Sequence, residues 1–153
     1  MVHRNVWDKV YEATGAKFIV VGSKADDEVM QITASKPGIV FKGFVSDEEL
    51  EKLYSESRIV AVPLRYGAGV KGKVVEALHY GCPIVTTSVG AEGIEGAEEV
   101  MAIADEPAAF AARLTELYKD TDALREMSIK ASGYSDSHNS VDAAWQIIKG
   151  DFQ

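Results

Sequence analysis

One cysteine, Cys82, stands among 153 residues. A lone thiol cannot close an internal disulfide, so a reducing compartment is the easier setting. Positive charge is also scarce: 16 Lys and Arg against 24 Asp and Glu give a net charge of −8. General nucleic-acid binding needs a basic surface, and this charge argues against it. An anionic small ligand is not excluded, because a few local cations outweigh charges beyond the screening length. No apolar run approaches the ~18–20 residues of a membrane-spanning helix. The start, Met-Val-His-Arg-Asn-Val-Trp-Asp, lacks the apolar core of a signal peptide, and the expected location is the cytoplasm. His3, His79 and His138 have no metal-ligand spacing with Cys82 or with a carboxylate, so no metal site is expected. No Walker loop occurs, since Lys73 is followed by Val74.

What is present is an alternation of apolar strands and amphipathic helices. Residues 4–14 read as a helix with Val6, Trp7, Val10 and Tyr11 on one face, stopped by Gly15. Phe18-Ile19-Val20-Val21 is a strand apolar on both faces, as in a covered parallel sheet. Residues 26–34 read as a short helix, Ile39-Val40-Phe41 as a strand, and Gly43-Phe44-Val45 as a loop. Ser46-Asp47-Glu48-Glu49 has the form of a capping box in which Glu49 reaches back to the cap, and a helix follows to about residue 56. Strands are expected over 58–63, 83–87 and 99–104. Helices are expected over 73–80, after an Asp105 cap with Pro107 in the first turn, and over 121–131 and 140–149. A βαβ alternation with crossovers of this length predicts an α/β fold: a Rossmann-like, doubly wound parallel sheet with helices on both faces. Ligands of such sheets sit at the carboxyl ends of the strands. Gly22, Gly43, the loop after residue 64 and Thr86-Thr87 all fall there.

The richest segment is Arg65-Tyr-Gly-Ala-Gly-Val-Lys-Gly-Lys-Val-Val-Glu76, between a strand and a helix. Gly67, Gly69 and Gly72 give the backbone access to positive φ and to close oxyanion approach. Lys71 and Lys73 bring ammonium groups suited to phosphate, and the helix start adds partial positive charge. Solvated surface lysines and a merely flexible turn are the competing readings, and Lys71 is favoured over Lys73. Glu76, placed in about the first turn, is either a carboxylate favoured by the helix dipole or an acceptor for vicinal sugar hydroxyls. Arg65 and Tyr66 can line the pocket mouth or make ordinary surface contacts. Gly67-x-Gly69-x-x-Gly72 also matches the letters of a dinucleotide fingerprint, with Glu92 about 20 residues on, so a small NAD-dependent oxidoreductase is a third reading. Cys82 reads as a buried, inert thiol.

These residues resemble the C-terminal, donor-binding half of GT-B glycosyltransferases, the group 1 or family 4-like transferases. The resemblance runs through Phe18–Gly22, Val40–Leu50 and, most specifically, Gly69–Thr87. It implies that residues 1–153 are one nucleotide-sugar-binding domain, part of a longer two-domain protein that transfers a sugar from a nucleoside diphosphate to an acceptor in polysaccharide or glycoconjugate synthesis. The donor is substrate, and no cofactor is implied. Gly69, Val70 and Lys71, with Lys73 beside them, would hold the diphosphate, and Glu76 the ribose hydroxyls. Phe44 and Val45 would lie near the base, and Thr86 and Thr87 would support the site. No residue is assigned a catalytic role.

The sequence departs from the family pattern in three places. Ala68 stands where the first acid of the Glu-x7-Glu motif would fall. The first strand of this half, central in the order 3-2-1-4-5-6, has no counterpart before residue 4. The N-terminal acceptor domain is missing as well, so this fragment alone is expected to be inactive. Homo-oligomers are compatible with the reading. The alternative is a non-catalytic nucleotide-binding or interaction module of doubly wound fold.

Overall fold

The computed structural model describes residues 4–21, 36–64 and 67–137. Helix α1 (Arg4–Thr14) leads to strand β1 (Phe18–Val21), and β2 (Ile39–Gly43) leads to helix α2 (Asp47–Glu56). Strand β3 (Val60–Val62) precedes helix α3 (Gly72–His79) and strand β4 (Ile84–Thr86). A single helical turn, α4 (Ala97–Val100), precedes β5 (Ala102–Ile103), followed by α5 (Pro107–Lys119) and α6 (Thr121–Ser137). The expected helices over 26–34 and 140–149, together with Gly22, Arg65 and Tyr66, lie outside the described residues.

Every strand pairing is parallel, as the apolar runs predict. Among the described residues, however, the sheet falls into two pieces, β1-β2 and β3-β4-β5. Each of β1 and β3 has one hydrogen-bonded neighbour. No backbone ladder joins the two pieces among these residues.

One core nevertheless joins the two pieces. Trp7 and Val10 of α1 pack in a single cluster with Val85 of β4 and Phe110, Leu114 and Leu117 of α5, and Phe18, Ile39 and Ala61 border it. The Trp7 ring meets Phe18 edge-on at 5.3 Å, and its Nε1 donates to the Pro37 carbonyl at 2.8 Å. A second cluster lies on the other face of β4 and includes Ile84, with Val74, Ala77 and Leu78 of α3, Val100 of α4, and Ala131 and Tyr134 of α6. Ile84 and Val85 are both fully buried and belong to opposite clusters. This two-sided burial is what keeps β4 apolar throughout. Helix α6 turns the corner, with Leu124 in the first cluster and Ala131 in the second, and runs to Ser137, beyond the expected 131.

Three local expectations are corrected. The apolar run 99–104 is not one strand: Glu99 and Val100 end α4, and only Ala102-Ile103 pair with β4. The turn is short enough to bury Ala97 and Val100 against the second core before the strand begins. Glu106, not Asp105, occupies the N-cap of α5, and makes no side-chain cap bond. Asp105 is drawn away by Ser88, whose amide and hydroxyl both donate to it, at 2.8 and 2.6 Å. Ser46 caps α2 as predicted, accepting from the Glu49 amide at 3.1 Å. The Glu49 carboxylate, however, faces Lys42 at 3.4 Å, an opposite charge on the neighbouring strand.

Candidate functional site: the glycine-lysine loop and the start of α3

The loop from β3 to α3 lies at the carboxyl end of a parallel strand, where such folds hold ligands. Gly67 and Gly69 have φ of 130° and 81°, a region costly for residues with a Cβ. Gly72 differs from expectation: it is the first residue of α3 and has no positive φ among the described glycines. Lys71 is the N-cap, and its carbonyl accepts from the amides of Val74 and Val75 at 3.1 and 3.2 Å. A lysine side chain has no acceptor, so no side chain caps this helix. The amides of Gly72 and Lys73 have no place in the helical ladder. They point toward the loop with the positive end of the helix dipole behind them.

The Lys71 ammonium folds back over the loop and donates to the Gly69 carbonyl at 2.6 Å. Its side chain runs close to Gly67, where an added Cβ would come within 3.1 Å of Lys71 Cε. Lys73, one position into the helix, is exposed. Val70 is half exposed at 46% and packs against Gly93 of the loop after β4.

Glu76 lies in the second turn of α3, not the first, so its tie to the helix dipole is weaker than the sequence reading supposed. It is half-buried, and the Tyr54 hydroxyl of α2 hydrogen-bonds to its carboxylate. Tyr54 in turn stacks on Tyr80, with ring centroids 5.1 Å apart and planes 19° apart. Burial, and then the negative charge of Glu76, raise the Tyr54 phenol well above its ordinary pKa. Glu76 therefore belongs to a polar joint between α2 and α3.

Thr86 and Thr87 are buried, and their hydroxyls donate to the Val62 and Leu64 carbonyls. The Gly90 amide donates to the Thr87 hydroxyl at 3.2 Å. The two threonines thus fix the carboxyl end of β4 to that of β3 and leave their hydroxyls engaged with backbone. Phe44, just past β2, is 81% exposed, the highest value among the exposed large apolar side chains. Val45 beside it is half-buried. Among the described residues no hydrogen bond or ring contact joins either one to the glycine-lysine loop.

Sequence reasoning assigned no role in this site to two residues that touch it. Tyr54 lies in the last turn of α2 with no motif around it, and only the fold, through its stack on Tyr80, brings it beside Glu76. Glu92 was considered solely as a dinucleotide partner, yet its carboxylate accepts from the Gly69 amide at 3.2 Å. Cys82 is buried and donates to the Tyr54 carbonyl at 3.4 Å, and burial pushes its thiol up to about 11. An inert thiol is the expected result. No group of three or more potential metal ligands occurs among the described residues, and no described helix is long and apolar enough to cross a membrane.

Comparison with known proteins agrees with this architecture. A curated protein of Klebsiella pneumoniae, the uncharacterized 44.6 kDa protein in the cps region, is 32% identical over 90 residues, covering 58% of this chain and 23% of its own length. An uncharacterized glycosyltransferase of Methanocaldococcus jannaschii is 32% identical over 87 residues, covering 54% of this chain and 22% of its own. The chain thus spans under a quarter of the length of these relatives. The crystal structure of a glycosyltransferase involved in avilamycin A biosynthesis superposes with a TM-score of 0.53 at 17% identity, over 91% of this chain and 45% of that one. That likeness shows a shared glycosyltransferase fold. The profile of the family Glycosyl transferases group 1 matches residues 2–120, and the chain therefore belongs to that family.

Proposed function

We propose that this chain is the donor-binding half of a glycosyltransferase that moves a sugar from a nucleoside diphosphate to an acceptor in polysaccharide or glycoconjugate synthesis. The observation that carries the reading is the uncapped start of α3 behind a loop whose glycines hold positive φ and whose Lys71 ammonium lies over it. Backbone amides, helix dipole and the Lys71 point charge converge where one oxyanion would be held. Lys71 and the Gly69–Val70 backbone bind the diphosphate, with Lys73 adding charge from the first turn. Glu76, already oriented by Tyr54, accepts the ribose hydroxyls. Phe44 offers an exposed ring on which a base can stack, with Val45 beside it. Thr86 and Thr87 hold the strand ends that carry the site.

On this reading residues 1–153 form one nucleotide-sugar-binding domain that works against a separate acceptor domain, and this half by itself does not turn over. The donor is substrate and no cofactor takes part. The test is calorimetric titration with UDP, GDP and ADP. Lys71→Ala and Glu76→Gln are each expected to weaken binding by about 1.5–3 kcal/mol, the worth of a hydrogen bond to a charged group. Unchanged affinity in both variants would remove the site assignment. Stabilisation by NADH with no response to any nucleoside diphosphate would instead favour the oxidoreductase reading.

A further inference from the structure

The ten residues after β4 fold onto the glycine-lysine loop. Their base is anchored by the two hydrogen bonds that Ser88 donates to Asp105 and by the Thr87 hydroxyl on the Leu64 carbonyl. Their tip approaches so closely that a Cβ on Gly93, at φ +80°, would come within 2.6 Å of Val70 Cγ2. This approach delivers Glu92 to the loop, where Oε1 accepts from the Gly69 amide at 3.2 Å while Lys71 Nζ donates to the carbonyl of the same residue at 2.6 Å. One glycine is held by a carboxylate on its N–H and by an ammonium on its oxygen. Among the described residues neither charge belongs to an ion pair. Both groups that a ligand oxyanion would use, the Gly69 N–H and the Lys71 ammonium, already have an internal partner.

We infer that Glu92 sets the affinity of this cradle: its carboxylate competes with the ligand's phosphate for the Gly69 amide. The inference rests on the proposed reading of the loop as a diphosphate site. A single N–H directs one strong linear bond, so an incoming oxyanion must displace the carboxylate and then meets its charge at close range. Lys71 is released from the Gly69 carbonyl in the same exchange, free to follow the ligand.

Glu92→Gln separates charge from shape, since the amide oxygen can still accept from Gly69. The experiment is calorimetry of wild type, Glu92→Gln, Glu92→Ala and Lys71→Ala with UDP, GDP, ADP and inorganic pyrophosphate at low and high salt, with thermal melts to confirm folding. Both Glu92 variants are expected to bind the diphosphates that wild type binds on the order of 5-fold more tightly, because a charged acceptor holds an amide about twice as strongly as a neutral one. The gain should shrink in salt. Unchanged or weaker binding by Glu92→Gln overturns the competition: unchanged with Glu92→Ala weaker makes Glu92 a structural clamp, and weaker makes it a direct ligand contact. If Lys71→Ala loses affinity while Glu92→Gln gains none, this inference fails and the diphosphate reading stands. If no diphosphate binds any of the four proteins, both fail.

Discussion

The Tyr54 hydroxyl donates to the Glu76 carboxylate, joining α2 to α3 beside the stacked Tyr54 and Tyr80 rings. Tyr54→Phe keeps the stack and removes the bond. Leaving a half-buried carboxylate short of a donor should cost about 1–2 kcal/mol of stability in urea unfolding. The Tyr54 phenol is raised, so its neutral form is the one the fold accommodates. Its contribution is complete below the ordinary phenol pKa of 10.0 and declines as pH rises above it. In an absorbance titration one tyrosine should ionise after the others, and Tyr54→Phe should abolish that late step.

Cys82 behaves in the same sense. With its thiol held up to about 11 against an ordinary 9.0, it stays protonated at neutral pH inside the second core. Its contribution to stability is whole below pH 9.0 and is lost as pH rises toward about 11. A thiol reagent at pH 8 should react slowly with the native protein and rapidly once it is unfolded. Fast native labelling would contradict the buried placement.

Asp105 works in the opposite direction. Hydrogen bonds from the Ser88 hydroxyl and amide hold its carboxyl below the ordinary range. The stability it adds is present above that range and is lost as pH falls through it toward the lowered value. Asp105→Asn should lower the melting temperature at pH 7 and differ progressively less from wild type as the pH falls. A melting difference that persists unchanged at acid pH would count against the carboxylate as the cause.

Trp7 should be the most sensitive position of α1. It is 4% exposed, packs in the first core, and spends its indole N–H on the Pro37 carbonyl. Trp7→Ala is expected to cost about 3–5 kcal/mol, transfer term and cavity together. Trp7→Phe keeps most of the ring and should lose far less, with a share near the ~1 kcal/mol of one hydrogen bond. Chemical denaturation of both variants measures the difference.

Local chemistry made much of this legible from sequence. Apolar runs such as Phe18–Val21 and Ile84–Thr86 announce strands, but only the second is covered on both faces: Ile84 and Val85 are fully buried, whereas Ile19 is 39% exposed. Ser46 three residues before Glu49 announces a helix start. Asp105, by contrast, had the letters of a cap, and its partner Ser88 lies 17 residues away, beyond any local pattern. The 99–104 run failed for a related reason. Burial of Val100 against α6 and burial of Ala102 against α5 place their side chains in opposite cores, and a helical turn satisfies both.

Access to positive φ in the β3-α3 connection and the positive charge of Lys71 follow from residue type alone, whereas the fold decided that Gly67 and Gly69 use that access and Gly72 does not. Membership of the α/β class follows likewise from strand and helix periodicity. The partners of the loop were decided only by tertiary structure. Glu92 reaches Gly69 across 23 residues because Gly93 lets the post-β4 loop close on Val70. Tyr54 lies beside Glu76 because its ring stacks on Tyr80, the residue that ends α3. A sequence fixes which charges exist. Their distances, and so which anion a given amide holds, arise only when separate strand ends are folded onto one edge.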